Sequence, residues 1–157
     1  MTVELKERTE SHVRTYFVRT RDPEIQARIP QTAESVEQAV AAFEKTLLPG
    51  ATSFGSTIYV DGSYVGDIWC YCIDLQEEPN AMVSYCIFEP ECWNQGIATS
   101  ALQQFLPLIR EKFKLHSVGA FTYSDNLPSI RVLEKCGFQM LEEFIENEIA
   151  SKYFEHN

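Results

Sequence analysis

Basic residues are scarce in this 157-residue sequence, which has 13 Lys and Arg against 23 Asp and Glu and a formal net charge of -10. Because nucleic-acid binding depends mainly on cationic side chains that neutralise phosphates, this charge argues against a nucleic-acid partner. It favours the attraction of a cationic small molecule or a basic peptide, although an acidic surface also serves solubility alone.

Long apolar runs are absent as well. No segment approaches the about 20 consecutive apolar residues that a membrane-spanning helix needs. The first residues, MTVELKERTESH, are too polar for a secretory signal peptide. We therefore expect a soluble protein without a membrane partner.

Cysteine and histidine are present, but not in a pattern that indicates a metal site. The five cysteines are odd in number and mostly lie inside apolar segments, as reduced core thiols do. Cys70 and Cys72 are expected to share one face of a strand, yet no second Cys or His pair has zinc-site spacing. The three histidines have no partner pattern either. We expect no metal and a cytoplasmic location.

The remaining pattern is that of one domain with mixed secondary structure. With 45% hydrophobic residues the chain has enough apolar material for one core, so we expect a single domain over residues 1–157. Periodicity and breakers, among them Asp22-Pro23 and Pro30, predict a strand, two helices, three strands, a helix, a strand, a helix and two strands. Asp61-Gly62 predicts a tight hairpin turn. This order favours an α+β fold, a mostly antiparallel mixed sheet flanked by helices.

The expected boundaries follow from the same signals. The strands are expected at Val3–Arg8, Ser53–Val60, Ser63–Ile73, Ala81–Phe88, His116–Tyr123, Phe138–Ile145 and Ile149–Phe154. The helices are expected at His12–Thr20, from Thr32 to Pro49, from Gly96 to Lys114 and at Asn126–Cys136.

The segment from Phe88 to Thr99 is the first with a chemical implication. A strand ends at Phe88, a polar turn with one glycine follows, and a long helix begins after Gly96. Free amide N–H groups at such a helix start bind pyrophosphate without a basic side chain, and Gly96 lets the backbone approach it closely. Taken alone, however, a Gly-x-Ala helix start is also a common structural turn.

A second motif begins another helix with Asn126-Leu127-Pro128-Ser129 and ends it with Glu134-Lys135-Cys136-Gly137-Phe138. Together with Trp93-Asn94-Gln95-Gly96-Ile97-Ala98, it resembles the GNAT superfamily of N-acetyltransferases. It is similar in particular to the ribosomal-protein-alanine acetyltransferase (RimJ/RimL-like) branch, which also includes some antibiotic acetyltransferases. The resemblance covers most of the chain, densely from Ser84 to Phe138.

The resemblance implies a three-layer fold of about seven strands, in which the fourth and fifth strands splay apart to admit the pantetheine arm of acetyl-CoA. It implies that Ile87 and Phe88 offer backbone groups to the pantetheine and the thioester. It also implies that Asn126 and Ser129 meet the coenzyme from the other side. The pyrophosphate would be held by Asn94, Gln95, Gly96, Ile97, Ala98 and Thr99.

The catalytic assignment is more open, because the chain departs from the family pattern at two positions. Val83 stands where many relatives have a glutamate, and Leu133 stands where many have a tyrosine. Ser129 is a candidate for protonating the departing thiolate, but a serine near a helix start is often only a cap. Asp67 and Glu89 are candidates for holding or deprotonating the amine, and Asp67 is equally compatible with a solvated strand position.

Several functional hypotheses therefore stay open. The first is an N-acetyltransferase whose acceptor is a primary amine of a small molecule or of a peptide N-terminus. The second is a coenzyme A-binding module with weak or no activity, and the third is a structural domain that binds nothing at Gly96. Trp69, Tyr71 and Tyr85 are expected either as an aromatic wall for the acceptor or as ordinary core. Dimerisation is left open.

Overall fold

The computed structural model describes residues 1–29 and 33–157. Seven strands form one sheet in the order β1-β2-β3-β4-β5-β7-β6. Neighbouring strands are antiparallel except β4 and β5, which are parallel. The strands are β1 Val3–Glu7, β2 Phe54–Val60, β3 Ser63–Asp74, β4 Asn80–Ile87, β5 Ser117–Tyr123, β6 Gln139–Glu146 and β7 Ile149–His156. The expected seven-stranded, mostly antiparallel mixed sheet is confirmed.

The helices are α1 Glu10–Arg19, α2 Pro23–Gln26, α3 Val36–Thr46, α4 Ile97–Phe113 and α5 Leu127–Lys135, and Pro90–Cys92 forms a 3₁₀ turn. Asp22 ends the preceding segment as expected, but its side chain also accepts a hydrogen bond from the Glu24 amide and begins α2. Sequence periodicity missed this helix because four residues are too few to show a period. The break expected at Pro30 and the helix start expected at Thr32 lie outside the described residues.

Backbone dihedrals explain one success and one error of the sequence prediction. Asp61 and Gly62 both have positive φ, 49° and 84°, as the tight turn between β2 and β3 requires. Cys72 also has a positive φ, 51°, where the β3–β4 register shifts between Tyr71 and Asp74. This bulge leaves Cys70 buried and Cys72 exposed, so the prediction that they share a face was wrong.

The sheet is covered on both faces. Along β4, Ala81 and Val83 belong to the larger core cluster, which includes the buried face of α4. Cys86 and Phe88 belong to a second cluster with Ile25 of α2, on the opposite face. The alternation of β4 side chains therefore produces the expected three layers, with helix, sheet and helix.

Pairing between β4 and β5 is short. It joins Asn80, Ala81 and Met82 to Ser117, Val118 and Gly119, although both strands continue further. A Cβ at Gly119, at the last pair, would lie 2.6 Å from the Tyr153 hydroxyl and 2.8 Å from the Met82 sulfur, so these side chains would have to shift to admit a larger residue. The two strands separate after this point, as expected, and no strand among the described residues pairs with this edge of β4 from Val83 onward.

No helix within residues 1–29 and 33–157 is both long and apolar enough to cross a bilayer.

Candidate active site

A cleft of 500 Å³ opens at the unpaired edge of β4. We call it the turn cleft, because the turn that precedes α4 forms one side of it and the start of α5 forms another. Its lining includes most of the residues expected to contact a coenzyme: Ile87, Asn94, Gly96, Ile97, Ala98, Thr99, Asn126 and Ser129. The residues missing from this lining are Phe88 and Gln95. The side-chain amide of Gln95 donates to the Glu91 carbonyl at 2.5 Å.

The start of α4 has free amides. Asn94 and Gly96 both adopt left-handed backbone conformations, with φ of 62° and 79°. Gly96 is the N-cap and has no side chain that caps the helix, whereas α1, α2, α3 and α5 are all capped by a side chain. The first helical bond runs from the Ser100 amide to the Gly96 carbonyl at 3.0 Å, so the three preceding helical amides donate to no described residue. These amides and the helix dipole create a positive potential at the cleft.

Hydrogen bonding along β4 decides which backbone groups face the turn cleft. The Phe88 amide donates to the Val65 carbonyl at 2.9 Å and is therefore engaged with β3. Because antiparallel pairing alternates, the backbone groups of Val83, Tyr85 and Ile87 point to the other side, where β5 has separated. The Ile87 carbonyl accepts from the Trp93 indole at 2.9 Å, which ties the turn to β4. Of the pair expected from the sequence, only Ile87 directs its amide to the cleft.

A hydroxyl pair lies across the turn cleft. The Tyr85 hydroxyl donates to the Ser129 hydroxyl oxygen at 3.3 Å. Burial raises the pKa of Tyr85 to about 12, so its hydroxyl remains protonated at neutral pH. The cap of α5 is Asn126, whose side chain accepts from the Ser129 amide at 3.3 Å, and this leaves the Ser129 hydroxyl available. The sequence predicted Tyr85 either as part of an aromatic wall for the acceptor or as ordinary core, and it did not reveal this pairing.

The two departures from the family pattern are apolar and buried. Val83 and Leu133 are each 3% exposed and belong to the main core cluster. Neither supplies an ionisable group.

Within the described ranges, no group of three or more His, Cys, Asp or Glu side chains is arranged to hold a metal ion.

The turn cleft is basic. Arg28, Arg131 and Lys135 line it, and no carboxylate does so among the described residues. Arg131 and Lys135 are four residues apart on α5, so both lie on one helix face. This spacing could have identified them from the sequence as a pair of neighbouring cations. Arg28 lies 4.3 Å from the centre of the Trp93 ring. In a chain of net charge -10, this local excess of cations favours an anionic ligand.

A second cleft, of 760 Å³, lies between β3 and the helices α1 and α3, and we call it the α1–α3 cleft. Trp69 and Tyr71 of β3 line it together with Ser84 of β4. Tyr85 points to the turn cleft instead, so the aromatic wall expected from the sequence is divided between the two faces of the sheet. Ile29 lines both clefts, which therefore adjoin.

Asp67 lies in the α1–α3 cleft and is only 3% exposed. Its carboxylate accepts from the Tyr64 hydroxyl at 2.6 Å and is 3.3 Å from the Arg8 guanidinium. Burial raises the pKa of Asp67, and both Arg8 and the Tyr64 hydrogen bond oppose this shift. The interpretation of Asp67 as a solvated strand residue was wrong.

Glu89 lies outside both clefts. Its carboxylate is 2.6 Å from the Arg19 guanidinium, at the end of α1. This ion pair connects the loop after β4 to α1. It neutralises the Glu89 carboxylate, which the sequence analysis considered as a candidate for holding an amine.

The Arg8–Asp67 pair leads to a stability prediction. Replacing Arg8 by Met leaves the Asp67 carboxylate buried without its cation, so we expect a loss of about 3 to 5 kcal/mol in the free energy of unfolding. The pKa of Asp67 then rises further, so the variant loses less stability in acid than at neutral pH. Urea denaturation at two pH values measures both effects.

The matched control for this prediction is Arg14→Met. Arg14 is half exposed and pairs with Glu10 one helical turn away, so its loss should cost less than about 1 kcal/mol. The double variant Arg8→Met/Asp67→Asn should recover most of the lost stability. An Arg8→Met variant as stable as Arg14→Met would contradict the assignment of a buried, mutually dependent pair.

Comparison with known families identifies the class. A family model described as an acetyltransferase (GNAT) domain matches residues 2–139. The chain belongs to the GNAT acetyltransferase family and is by class an acetyl-CoA-dependent N-acetyltransferase. No curated protein sequence matches it significantly.

Solved structures share the fold across nearly the whole chain. RimL, a ribosomal L7/L12 alpha-N-protein acetyltransferase in complex with coenzyme A, has a TM-score of 0.83 at 18% identity, covering 99% of this chain and 94% of that one. A spermidine N-acetyltransferase from Vibrio cholerae, with coenzyme A and spermine, has a TM-score of 0.86 at 15% identity, covering 98% and 94%. AAC(6')-Ib with ribostamycin and coenzyme A has a TM-score of 0.81 at 14% identity, covering 99% and 93%. At these identities the likeness concerns the fold.

Proposed function

We propose that this protein transfers an acetyl group from acetyl-CoA to a primary amine, with the coenzyme in the turn cleft and the amine in the α1–α3 cleft. The observation that carries the proposal is the start of α4. Its uncapped amides face a cleft that has three cationic side chains and no carboxylate among its described residues. The Tyr85–Ser129 pair lies in the same cleft.

The residues present fit a coenzyme that has a pyrophosphate at one end and a thioester at the other. The amides of Ile97, Ala98 and Thr99 are suited to the pyrophosphate, with Arg131 and Lys135 as the nearby cations. The unpaired edge of β4 offers amide and carbonyl groups that match an extended pantetheine arm, as in strand addition. The Ile87 amide is suited to polarise the thioester carbonyl.

The reaction needs little chemistry from the side chains. A neutral amine attacks the thioester carbonyl, the C–N bond forms, the C–S bond breaks, and the amine proton passes to solvent. Ser129 gives its proton to the departing thiolate, Tyr85, which donates to Ser129, restores it, and Tyr85 regains a proton from the solvent that took up the amine proton. Catalysis then rests mainly on positioning and on backbone polarisation, since Val83 and Leu133 supply no acid or base.

The acidic candidates have different roles in this proposal. Asp67 lines the α1–α3 cleft, but its charge is balanced by Arg8, so we assign it to shaping the acceptor site rather than to deprotonating the amine. Glu89 is engaged with Arg19 and has no part in the reaction.

The test is thiol release from acetyl-CoA with a panel of amines, combined with mass detection of the acetylated product. We expect turnover that rises with pH until the acceptor amine is neutral. Burial raises the pKa of Tyr85 to about 12, so its hydroxyl keeps its proton over this range and we expect no fall in rate from its deprotonation. Acetyl-CoA binding without turnover on any amine would favour the inactive coenzyme-binding module. Failure of acetyl-CoA at saturating concentration to raise the melting temperature would favour the structural domain.

A further inference from the structure

Among its described residues, the α1–α3 cleft has one carboxylate, and that carboxylate is already engaged. It belongs to Asp67, which is 3.3 Å from the Arg8 guanidinium and accepts from the Tyr64 hydroxyl at 2.6 Å. The acidic residues of α3, Glu37 and Glu44, do not belong to the lining. A ligand with several positive charges would therefore lose hydration in this cleft without gaining an anionic partner.

Most of the described lining is apolar, and it comes from α1, α3 and β3. Tyr16 packs edge-on against Trp69, with 6.4 Å between the ring centres, and against Phe88 at 6.1 Å, which holds the aromatic side of the cleft in place. The volume of 760 Å³ lies in the range of sites that enclose a small molecule. The apolar lining residues are Val13, Phe17, Ala39, Ala42, Phe43 and Trp69.

The position of this cleft relative to the turn cleft determines which part of an acceptor it holds. Ser84 of β4 lines the α1–α3 cleft, whereas Tyr85 and Ile87 of the same strand line the turn cleft. Ile29 lines both clefts. An amine that reaches a thioester at Ile87 therefore has the rest of its molecule beside the apolar lining.

We propose, resting on the proposed function, that the acceptor is a primary amine with a single positive charge and a bulky apolar body, in contrast to a polyamine or an aminoglycoside. The net charge of -10 attracts cations to the protein as a whole, but binding inside a cleft depends on the residues that line it. The apolar body belongs either to a free amine or to the first side chain of a peptide.

The experiment measures kcat/KM with the full chain for n-alkylamines from propylamine to octylamine and for spermidine, each expressed per neutral amine. We expect a rise of about 2- to 4-fold for each added methylene until the cleft is filled, because each methylene leaves water. Octylamine is about as long as spermidine but carries one charge. It should be better by at least about 10-fold, because the other charges of spermidine would lie against apolar side chains.

A pair of peptides identifies the source of the apolar body. Leu-Ala-Ala-amide and Ser-Ala-Ala-amide differ only in the first side chain. A leucine peptide that is better than both the serine peptide and octylamine supports the inference with a peptide as the acceptor. A leucine peptide that is poorer than octylamine supports it with a free amine as the acceptor.

Variants of α3 identify the cleft as the origin of the preference. Ala39→Phe and Ala42→Phe narrow the cleft and should each lower the ratio of kcat/KM for octylamine to that for propylamine by about 10-fold. Ala41→Phe is the matched control, since Ala41 is exposed on the same helix and does not line the cleft. It should leave the ratio unchanged. Acetyl-CoA should raise the melting temperature of all three variants, which shows that each is folded and keeps the turn cleft.

The outcomes distinguish this inference from the proposed function. Efficient acetylation of spermidine, with no gain along the alkylamine series, overturns the inference and leaves the acetyltransferase function in place. An equal effect of Ala42→Phe and Ala41→Phe on the ratio also overturns it. The absence of turnover on every amine and peptide overturns the proposed function and the inference together.

Discussion

Replacing Gly96 by Trp is expected to abolish acetyl-CoA binding while the protein stays folded. A Cβ at Gly96 would have no heavy atom within 4 Å, so the new side chain has room and need not disturb the core. Gly96 lines the turn cleft together with Ile97, Ala98 and Thr99, so an indole at this position would compete with the coenzyme for the cleft. The positive φ of 79° adds about 1 to 2 kcal/mol of backbone strain and shifts the turn away from its binding conformation. We expect at least about 100-fold weaker binding, or 2.7 kcal/mol, by isothermal titration calorimetry.

Gly62→Trp is the matched control for this variant. Gly62 also has a positive φ, 84°, and open surroundings, but it lies in the turn between β2 and β3. Both variants should therefore show a similar fall in melting temperature, and only Gly96→Trp should lose acetyl-CoA affinity. Unchanged affinity in Gly96→Trp would end the assignment of the pyrophosphate to this turn.

Removal of the Ser129 hydroxyl should produce the second large effect. Ser129→Ala is expected to lower turnover by something between about 10- and 10,000-fold, because water replaces a positioned proton donor only in part. Coenzyme affinity should change less than turnover. Pre-steady-state thiol release and a separate binding titration measure the two quantities.

Tyr85 tests whether the two hydroxyls act as one unit. If Tyr85 works through Ser129, then Tyr85→Phe lowers turnover in the wild type but adds little to Ser129→Ala. Tyr153→Phe is a matched control, since the Tyr153 hydroxyl also has a pKa raised to about 12 but donates to Glu155 on β7. Full turnover of Ser129→Ala, or a loss explained entirely by weaker coenzyme binding, would return Ser129 to a structural role.

The features that the sequence predicted correctly depend on neighbouring residues. The turn at Asp61-Gly62 and the helix start at Gly96 are each encoded within a few positions, because left-handed backbone favours glycine there. The element order follows from local periodicity, and the separation of β4 from β5 was implied by the family resemblance.

The features that the sequence did not reveal depend on tertiary contacts. Asp67 looked like a solvated strand residue because its partners, Arg8 and Tyr64, meet it only in the folded sheet. Tyr85 of β4 and Ser129 of α5 are likewise 44 residues apart in the sequence and meet only in the folded protein. The bulge at Cys72 interrupts an alternation that the sequence pattern continues.

The central claim is that the free amides before and within the first turn of α4 bind the coenzyme. The most direct measurement is a titration of the ¹⁵N-labelled protein with acetyl-CoA, followed through backbone amide shifts. We predict that the largest changes occur at Gly96, Ile97, Ala98 and Thr99, with a further change at Ile87 and none at Asp61 and Gly62. Saturable binding that leaves the amides from Gly96 to Thr99 unmoved would contradict the claim.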